Sequence, residues 1–233
     1  SSTYRQASHH RPNLADIDPT NRLLYRQNRF RVEAETVRDL YLSAAGLLSS
    51  KVGGPSVFPP IPKGATAVNY NSAFGWKVSN GDNRYRRGMY TFFKRTAPHP
   101  NLMTLDCPDS NVTCVQRTRS NTPLAALITL NNEVFHEAAQ ALARRILSSQ
   151  SKSDEERLDL AYRLCLARSP DRDEQTELSK LLEISRKWYQ QNEKSADQLV
   201  GNYGVPDLAN TEMASWIATT RIVLNTDQFI TRE

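Results

Sequence analysis

Apolar positions recur at helical spacing toward both ends of the chain and lose that spacing in the middle. After a polar arm, Asp18-Pro19-Thr20 gives a helix-start signal. Leu24, Ala34, Val37, Tyr41, Ala44, Ala45 and Leu48 then repeat at helical intervals, and Gly53-Gly54 stops the pattern. This predicts one long amphipathic helix ending near Ser49. Arg22, Arg26 and Arg29 fall on one side of it, and Arg29/Glu33 and Arg31/Glu35 sit four apart, as in a salt-bridged helix face.

The second half repeats the helical signal. Thr122-Pro123 opens a stripe through Leu127, Leu130, Val134, Phe135, Ala138, Leu142 and Ile146, with a bend at Asn131-Asn132. Ser153-Asp-Glu-Glu156 reads as a capping box before Leu158, Ala161, Tyr162 and Cys165. Ser169-Pro170 breaks the run, Arg172 to about Asn192 resumes it, and Pro206 to Asp227 closes with Leu208, Met213, Trp216, Ile217, Val223 and Leu224 on one side.

The middle reads differently. Residues 51–83 are rich in Gly, Pro, Ser and Asn, with Pro55, Pro59, Pro60 and Pro62 too closely spaced for helix or central strand. The aromatics and Thr of residues 85–95 favour a short strand, and residues 101–122 look irregular. The expectation is therefore a mainly α, irregular helical domain with a small β element near residues 84–95 and a long ordered loop at 51–83. One domain spans 1–233: a polar arm and long helix at 1–50, a loop, strand and Arg/Asp segment at 51–122, and a helical part at 123–233.

Composition agrees with a folded chain, since 39% of the 233 residues are hydrophobic and 24% charged. No apolar run approaches the length of a membrane span, so none is expected. Charge changes the picture more. Residues 84–119 hold seven bases (Arg84, Arg86, Arg87, Lys94, Arg95, Arg117, Arg119) and two acids (Asp106, Asp109), a local balance equal to the whole net charge of +5. Arginine outnumbers lysine heavily, and its planar fork suits carboxylates, sulfates and phosphates.

The candidate site is accordingly the stretch from Arg95 to Arg119, flanked by Arg86 and Arg87. It gathers Asp106, Asp109, Asn111, Cys114, Arg117 and Arg119. Two readings stay open: the arginines bind an anion or glycan, or they neutralise the carboxylates and hold the loop shut. Asp106, Asp109 and Asn111 have oxygen-rich spacing that a hard cation would use, although they complete no calcium loop. Cys107 and Cys114 lie in a turn-rich stretch whose ends can meet in a disulfide, with the reduced state equally compatible, whereas Cys165 falls in a helical pattern as a buried thiol. Glu33 and Glu35 point apart on a helix wheel and make no acid/base pair. His9, His10 and His99 are single imidazoles. The chain contains no Gly-x-Gly-x-x-Gly, Walker, Gly-x-Ser-x-Gly or His-Glu-x-x-His motif and no Cys-x-x-Cys-His haem-attachment motif. A +5 charge confined to one segment, without aromatic platforms, argues against nucleic acid.

Several strings carry a family resemblance: Tyr4-Arg-Gln, residues 21–35 with Arg38-Asp39, Gly53-Gly-Pro-Ser56, Tyr85-Arg-Arg-Gly-Met-Tyr90, Leu105-Asp-Cys-Pro-Asp109 through Cys114, residues 126–131, and the tail 216–233. Across essentially the whole chain these resemble the C-terminal domain of the planctomycete cytochrome-C-associated proteins, a domain of unknown function. Arg22, Arg26, Arg29, Glu33, Glu35, Arg38, Arg86, Arg87, Asp106, Asp109, Cys114 and Arg117 match the family pattern; Cys107 and His99 fall outside it. The resemblance implies a fragment of a large exported bacterial protein of the periplasm or cell envelope, with cytochrome-c-type and family-specific domains upstream. Haem c would belong to that upstream part, and no cofactor to this chain.

The expected function is a non-haem accessory domain for extracellular polysaccharide binding or processing, or for associated electron transfer. Anionic or neutral polysaccharide would then be a partner beside the upstream domains. A carbohydrate-active enzyme or oxidoreductase using the Asp106/Asp109 loop is one alternative, and a purely structural interdomain docking module is the other.

Overall fold

The computed structural model describes residues 2, 3, 5–62 and 75–232. The stretch 63–74 of the anticipated 51–83 loop lies outside the described residues. In chain order the helices are α1 (Pro12–Ala15), α2 (Ala34–Ala45), α3 (Pro100–Thr104), α4 (Pro123–Asn131), α5 (Glu133–Leu147), α6 (Asp154–Leu166), α7 (Arg172–Gln191), α8 (Glu193–Val200), α9 (Asn210–Leu224) and α10 (Asp227–Ile230). The sheet has two strands, β1 (Phe30–Arg31) and β2 (Thr231–Arg232), paired antiparallel with Phe30 opposite Arg232. The fold is mainly α, as the apolar spacing requires. Among the described residues no helix is long and apolar enough to cross a membrane.

α9 is the hub. It packs against α5, α7 and α8 and buries Met213, Trp216, Ile217, Val223 and Leu224. Its hydroxyls are satisfied inside the core, Thr220 donating to the Ala139 carbonyl at 3.1 Å. α2 lies across α5, and the Tyr41 ring meets Phe135 at 4.6 Å and Phe229 at 5.0 Å while its hydroxyl donates to the Leu224 carbonyl at 2.7 Å. Val32 donates to Ile230 at 2.8 Å, so the approach to α2 is tied to the end of the chain.

The long helix expected from Asp18 to Ser49 is the first correction: only Ala34–Ala45 is helical there. Local side-chain bonds win over the helical ladder upstream. Asp18 accepts from the amides of Arg22 and Leu23, and Asn21 bonds the Arg26 carbonyl and the Asn28 side chain. Asn21 and Leu24 take left-handed backbone at φ 53° and 55°, which ends any helix. Arg29 and Arg31 therefore do not pair with Glu33 and Glu35; they reach Asp227 and Asp106. α2 stops at Gly46, φ 74°, whose amide and that of Leu47 return to the last turn.

The β element expected near residues 84–95 is the second. That segment forms two 3-10 turns, Gly81–Tyr85 and Gly88–Tyr90, followed by a single parallel bridge between Val57 and Thr91. Among the described residues the proline-rich stretch beside it offers one pairing residue, Val57, and no ladder. Its aromatics pack instead, Phe58 against Phe92 at 4.9 Å and Trp76 at 5.1 Å.

Further along, the anticipated bend at Asn131-Asn132 is a full break. Asn132 is extended, and its side chain caps α5 by accepting from the Val134 amide. Ser153 caps α6 through the Glu156 amide, but Glu156 returns to Lys152 rather than Ser153. The complete capping box is Asp171 with Glu174 at the start of α7. α8 was not anticipated, since its short stripe lies between two stronger ones.

Candidate functional site

The arginine-rich segment divides into residues that hold the fold and residues that face solvent. Arg86 is 1% exposed. It donates to the carbonyls of Gly53 at 2.6 Å and Pro55 at 3.1 Å, and its guanidinium lies 3.7 Å from the centre of the Tyr90 ring. The Tyr90 hydroxyl accepts from the Gly53 amide, closing the clamp on the 51–55 turn. Arg86 is thus a pin, not a ligand group. Arg87 is half-exposed and pairs with Asp39 at 2.9 Å, and the Gly88 amide donates to the same carboxylate at 2.6 Å. Arg95 is exposed in the turn before α3.

Asp106 and Asp109 do not converge. Asp106, at φ 61°, turns inward: Arg31 meets it at 2.6 Å, and the Ser120 amide and hydroxyl each donate at 2.8 Å. Burial opposes its charge, but the Ser120 donors and Arg31 outweigh that and hold the carboxyl below its usual range. Asp109 is exposed and accepts from the backbone and side chain of Asn111, an Asx turn. The cation reading is corrected here, because Asp106 spends its bonds on Arg31 and Ser120 and Asp109 on Asn111. Among the described residues no group of three His, Cys, Asp or Glu is placed to hold a metal.

The anticipated Cys107–Cys114 pair is also corrected: both are free thiols, one buried and one exposed. Cys107 Sγ lies 3.7 Å from Glu35, and Cys114 Sγ donates to the Gln116 carbonyl at 3.3 Å. Burial and then Glu35 push the Cys107 thiol up to about 11. Cys165 is half-buried within α6 rather than fully enclosed, and burial raises it to about 12.

What the loop does bring together is Arg117 and Arg119 against Glu33 and Glu35. Glu33 is the N-cap residue of α2 and Glu35 lies in its first turn, where the helix dipole favours acids. Arg117 reaches Glu33 at 2.8 Å and Glu35 at 2.9 Å, and Arg119 reaches Glu33 at 3.3 Å. Burial works against the charge on Arg117, and its two carboxylates raise its proton affinity regardless. Arg119 also lies over the Phe30 ring at 5.1 Å. Beside these pairs an open groove of about 770 Å³ is lined by Glu33, Val115, Gln116, Arg117, Thr118 and Arg119.

Glu33 in this groove and Glu35 beside it escaped sequence reasoning because a continuous helix there would have pointed the two apart. The signal that finds them is the matched spacing of Glu33-x-Glu35 and Arg117-x-Arg119. A second cluster was missed as well. Glu137 of α5 accepts from Arg84 at 2.9 Å, from the Tyr85 hydroxyl at 2.9 Å and from the Tyr203 hydroxyl at 3.1 Å, locking the 81–90 turns onto the helix.

No curated protein and no solved structure matches this chain. A family model does, over residues 1–182, which takes in the groove, the Arg86 clamp and the chain as far as the first half of α7. The chain therefore belongs to the family described as PSD1, Protein of unknown function (DUF1553).

Proposed function

We propose that this chain is a non-haem accessory module of an exported, cytochrome-c-linked multidomain protein, and that its groove binds the hydroxyl groups of an extracellular polysaccharide. One observation carries the reading: an open groove lined by carboxylate, guanidinium, amide and hydroxyl groups from Glu33, Arg117, Arg119, Gln116 and Thr118. Carboxylates fixed by arginines accept sugar hydroxyls, and the remaining guanidinium and amide N–H groups donate to sugar oxygens. Glu33 in the groove and Glu35 beside it together offset the two arginines, so the groove suits a neutral sugar better than a sulfated one. Asp106, Asp109 and Asn111 have no part in it.

Calorimetric titration with neutral and sulfated oligosaccharides tests this. The expected result is binding of a neutral sugar that weakens at least tenfold in Arg117→Met and Glu33→Gln and is unchanged in Asp109→Asn. Absence of any binding by the wild-type chain overturns it.

A docking role has its own observation. Ile184 and Trp188 are 64% and 49% exposed, one turn apart on α7. A neighbouring domain of the same protein would cover them. Co-purification of the separately expressed upstream domains with this chain, lost in Trp188→Glu, tests that reading.

A further inference from the structure

Away from the groove, Arg38 of α2, Thr91, His99, Asn101 of α3 and Phe135 of α5 enclose a small cavity beneath Pro59. Its free space is about 10 Å³, room for one occupant of atomic size. The lining is unusual for its unmet polar groups. Arg38, Thr91 and His99 are all buried, and Arg38 Nε, Thr91 Oγ1 and both His99 ring nitrogens have no hydrogen-bond partner. Buried polar groups are rarely left in this state.

Among the described residues Arg38 also lacks a direct ion-pair partner, with Asp39 and Glu137 favouring its charge only from farther off. Arg38 donates to the Arg84 carbonyl at 2.7 Å, and no carboxylate lies within ion-pair distance of it among the described residues. The nearest acids are engaged elsewhere, Asp39 with Arg87 and the Gly88 amide, Glu137 with Arg84, Tyr85 and Tyr203. Burial lowers Arg38 to about 10, which still leaves it a cation at neutral pH. Burial and then the Arg38 charge lower His99 to about 4, so its ring is neutral there. The Pro60 carbonyl favours the protonated ring without meeting hydrogen-bond geometry.

The geometry points to a binding site for a single monoatomic anion, chloride, held by the Arg38 Nε–H, the Thr91 hydroxyl and a His99 ring N–H. Each of these three groups can donate, which is the requirement of a halide, and the second nitrogen of the neutral His99 ring takes no part. A water molecule would fit the space, but it would bring no counter-charge into contact with the buried cation.

Bromide substitutes for chloride and scatters anomalously, so the direct test is a crystal of the whole chain grown in sodium bromide. An anomalous peak between Arg38, Thr91 and His99 is the expected result. A water without anomalous signal, or an empty cavity, overturns the assignment. In solution at pH 7, the melting temperature should rise by roughly 4 °C when chloride replaces gluconate at matched ionic strength and about ten times its dissociation constant. Thr91→Val keeps the shape of the core and removes one donor; it should at least halve that rise. Equal melting in the two salts, or a full rise in Thr91→Val, rejects the site. The bromide crystal covers the case in which a variant fails to fold.

Discussion

Arg31 and Asp106 meet at 2.6 Å across 75 residues of sequence, and Arg31 is the more deeply buried partner. The same guanidinium donates to the carbonyls of Val32 at 2.8 Å, Leu105 at 3.0 Å and Ser120 at 2.5 Å. One side chain thus ties β1, the end of α3 and the returning arm of the 106–120 loop into a single joint. Asp106→Asn keeps the side-chain shape and tolerates the left-handed backbone, but strips the buried arginine of its counter-charge. The expected cost is about 2–3 kcal/mol, read as a melting temperature lower by roughly 5–10 °C. Asp109→Asn breaks only an exposed turn and should stay within about 0.5 kcal/mol. Equal losses for the two variants in thermal melts would contradict this division.

Acid should reveal the same joint. The folded carboxyl of Asp106 titrates below the value of 3.8 it has when free, so its contribution is complete above that pH and fades as acid protonates it in the folded state. Wild type and Asp106→Asn should therefore differ in unfolding free energy at pH 7 and converge as the pH falls through the lowered titration of the folded carboxyl. A difference that is constant down to pH 2 would mean that the charge has no role.

Gly88 sits where another residue cannot. A Cβ there would meet the Glu35 carbonyl oxygen at 2.5 Å and its Cα at 2.8 Å, both backbone atoms of α2. Gly88→Ala must push the 88–90 turn off the helix that presents Glu33 and Glu35. The expected loss is about 1–3 kcal/mol in urea unfolding at an unchanged slope. Gly54→Ala makes the informative contrast. It too is strained, at φ 89°, but only the Arg86 side chain lies near its Cβ, so its cost is conformational.

The distal half has its own centre of charge. Arg186 of α7 bonds both oxygens of Asp154 at 2.6 and 3.0 Å and both of Glu212 at 2.8 and 2.5 Å, joining α6, α7 and α9. Those carboxylates raise its proton affinity further, and Arg186 in turn lowers that of Asp154. Arg186→Met should cost about 2 kcal/mol, and Arg186→Lys should recover only part of it because a point charge cannot serve two forks. Chemical denaturation of the three proteins measures both differences.

How far the sequence was legible follows from which forces were local. The stripes of α5, α6 and α7 show plainly, since each buries one face and carries its own side-chain cap, at Asn132, Ser153 and Asp171, while α9 shows by its apolar residues alone. The region before α2 misled because Asp18 and Asn21 spend their side chains on nearby backbone, a choice that apolar spacing does not register. The aromatics of 85–95 looked like strand but serve a cluster with Phe58 and Trp76, whose placement depends on distant chain. Within the candidate site, Arg117 and Arg119 were visible as charge, whereas Glu33 and Glu35 became their partners only through the turn at Asp106. Arg86 looked like a ligand group because sequence cannot distinguish a guanidinium in solvent from one filled by carbonyls.

The cysteines give the last prediction. Cys114 is exposed, while Cys107 is buried with its thiol pushed up to about 11 and Cys165 is half-buried at about 12. Thiolate is the reactive form, so at pH 8 both raised thiols are almost wholly protonated and shielded as well. Titration of the native chain with an aromatic disulfide reagent should release one equivalent quickly and the other two only on unfolding. Cys114→Ser should abolish the fast phase and leave the melting temperature unchanged. A bond between Cys107 and Cys114 would instead give no fast equivalent, and a single thiol in denaturant until reductant is added. That outcome would require the 107–114 turn to rearrange, drawing Cys107 away from Glu35 and disturbing the carboxylate that Arg117 holds at the groove.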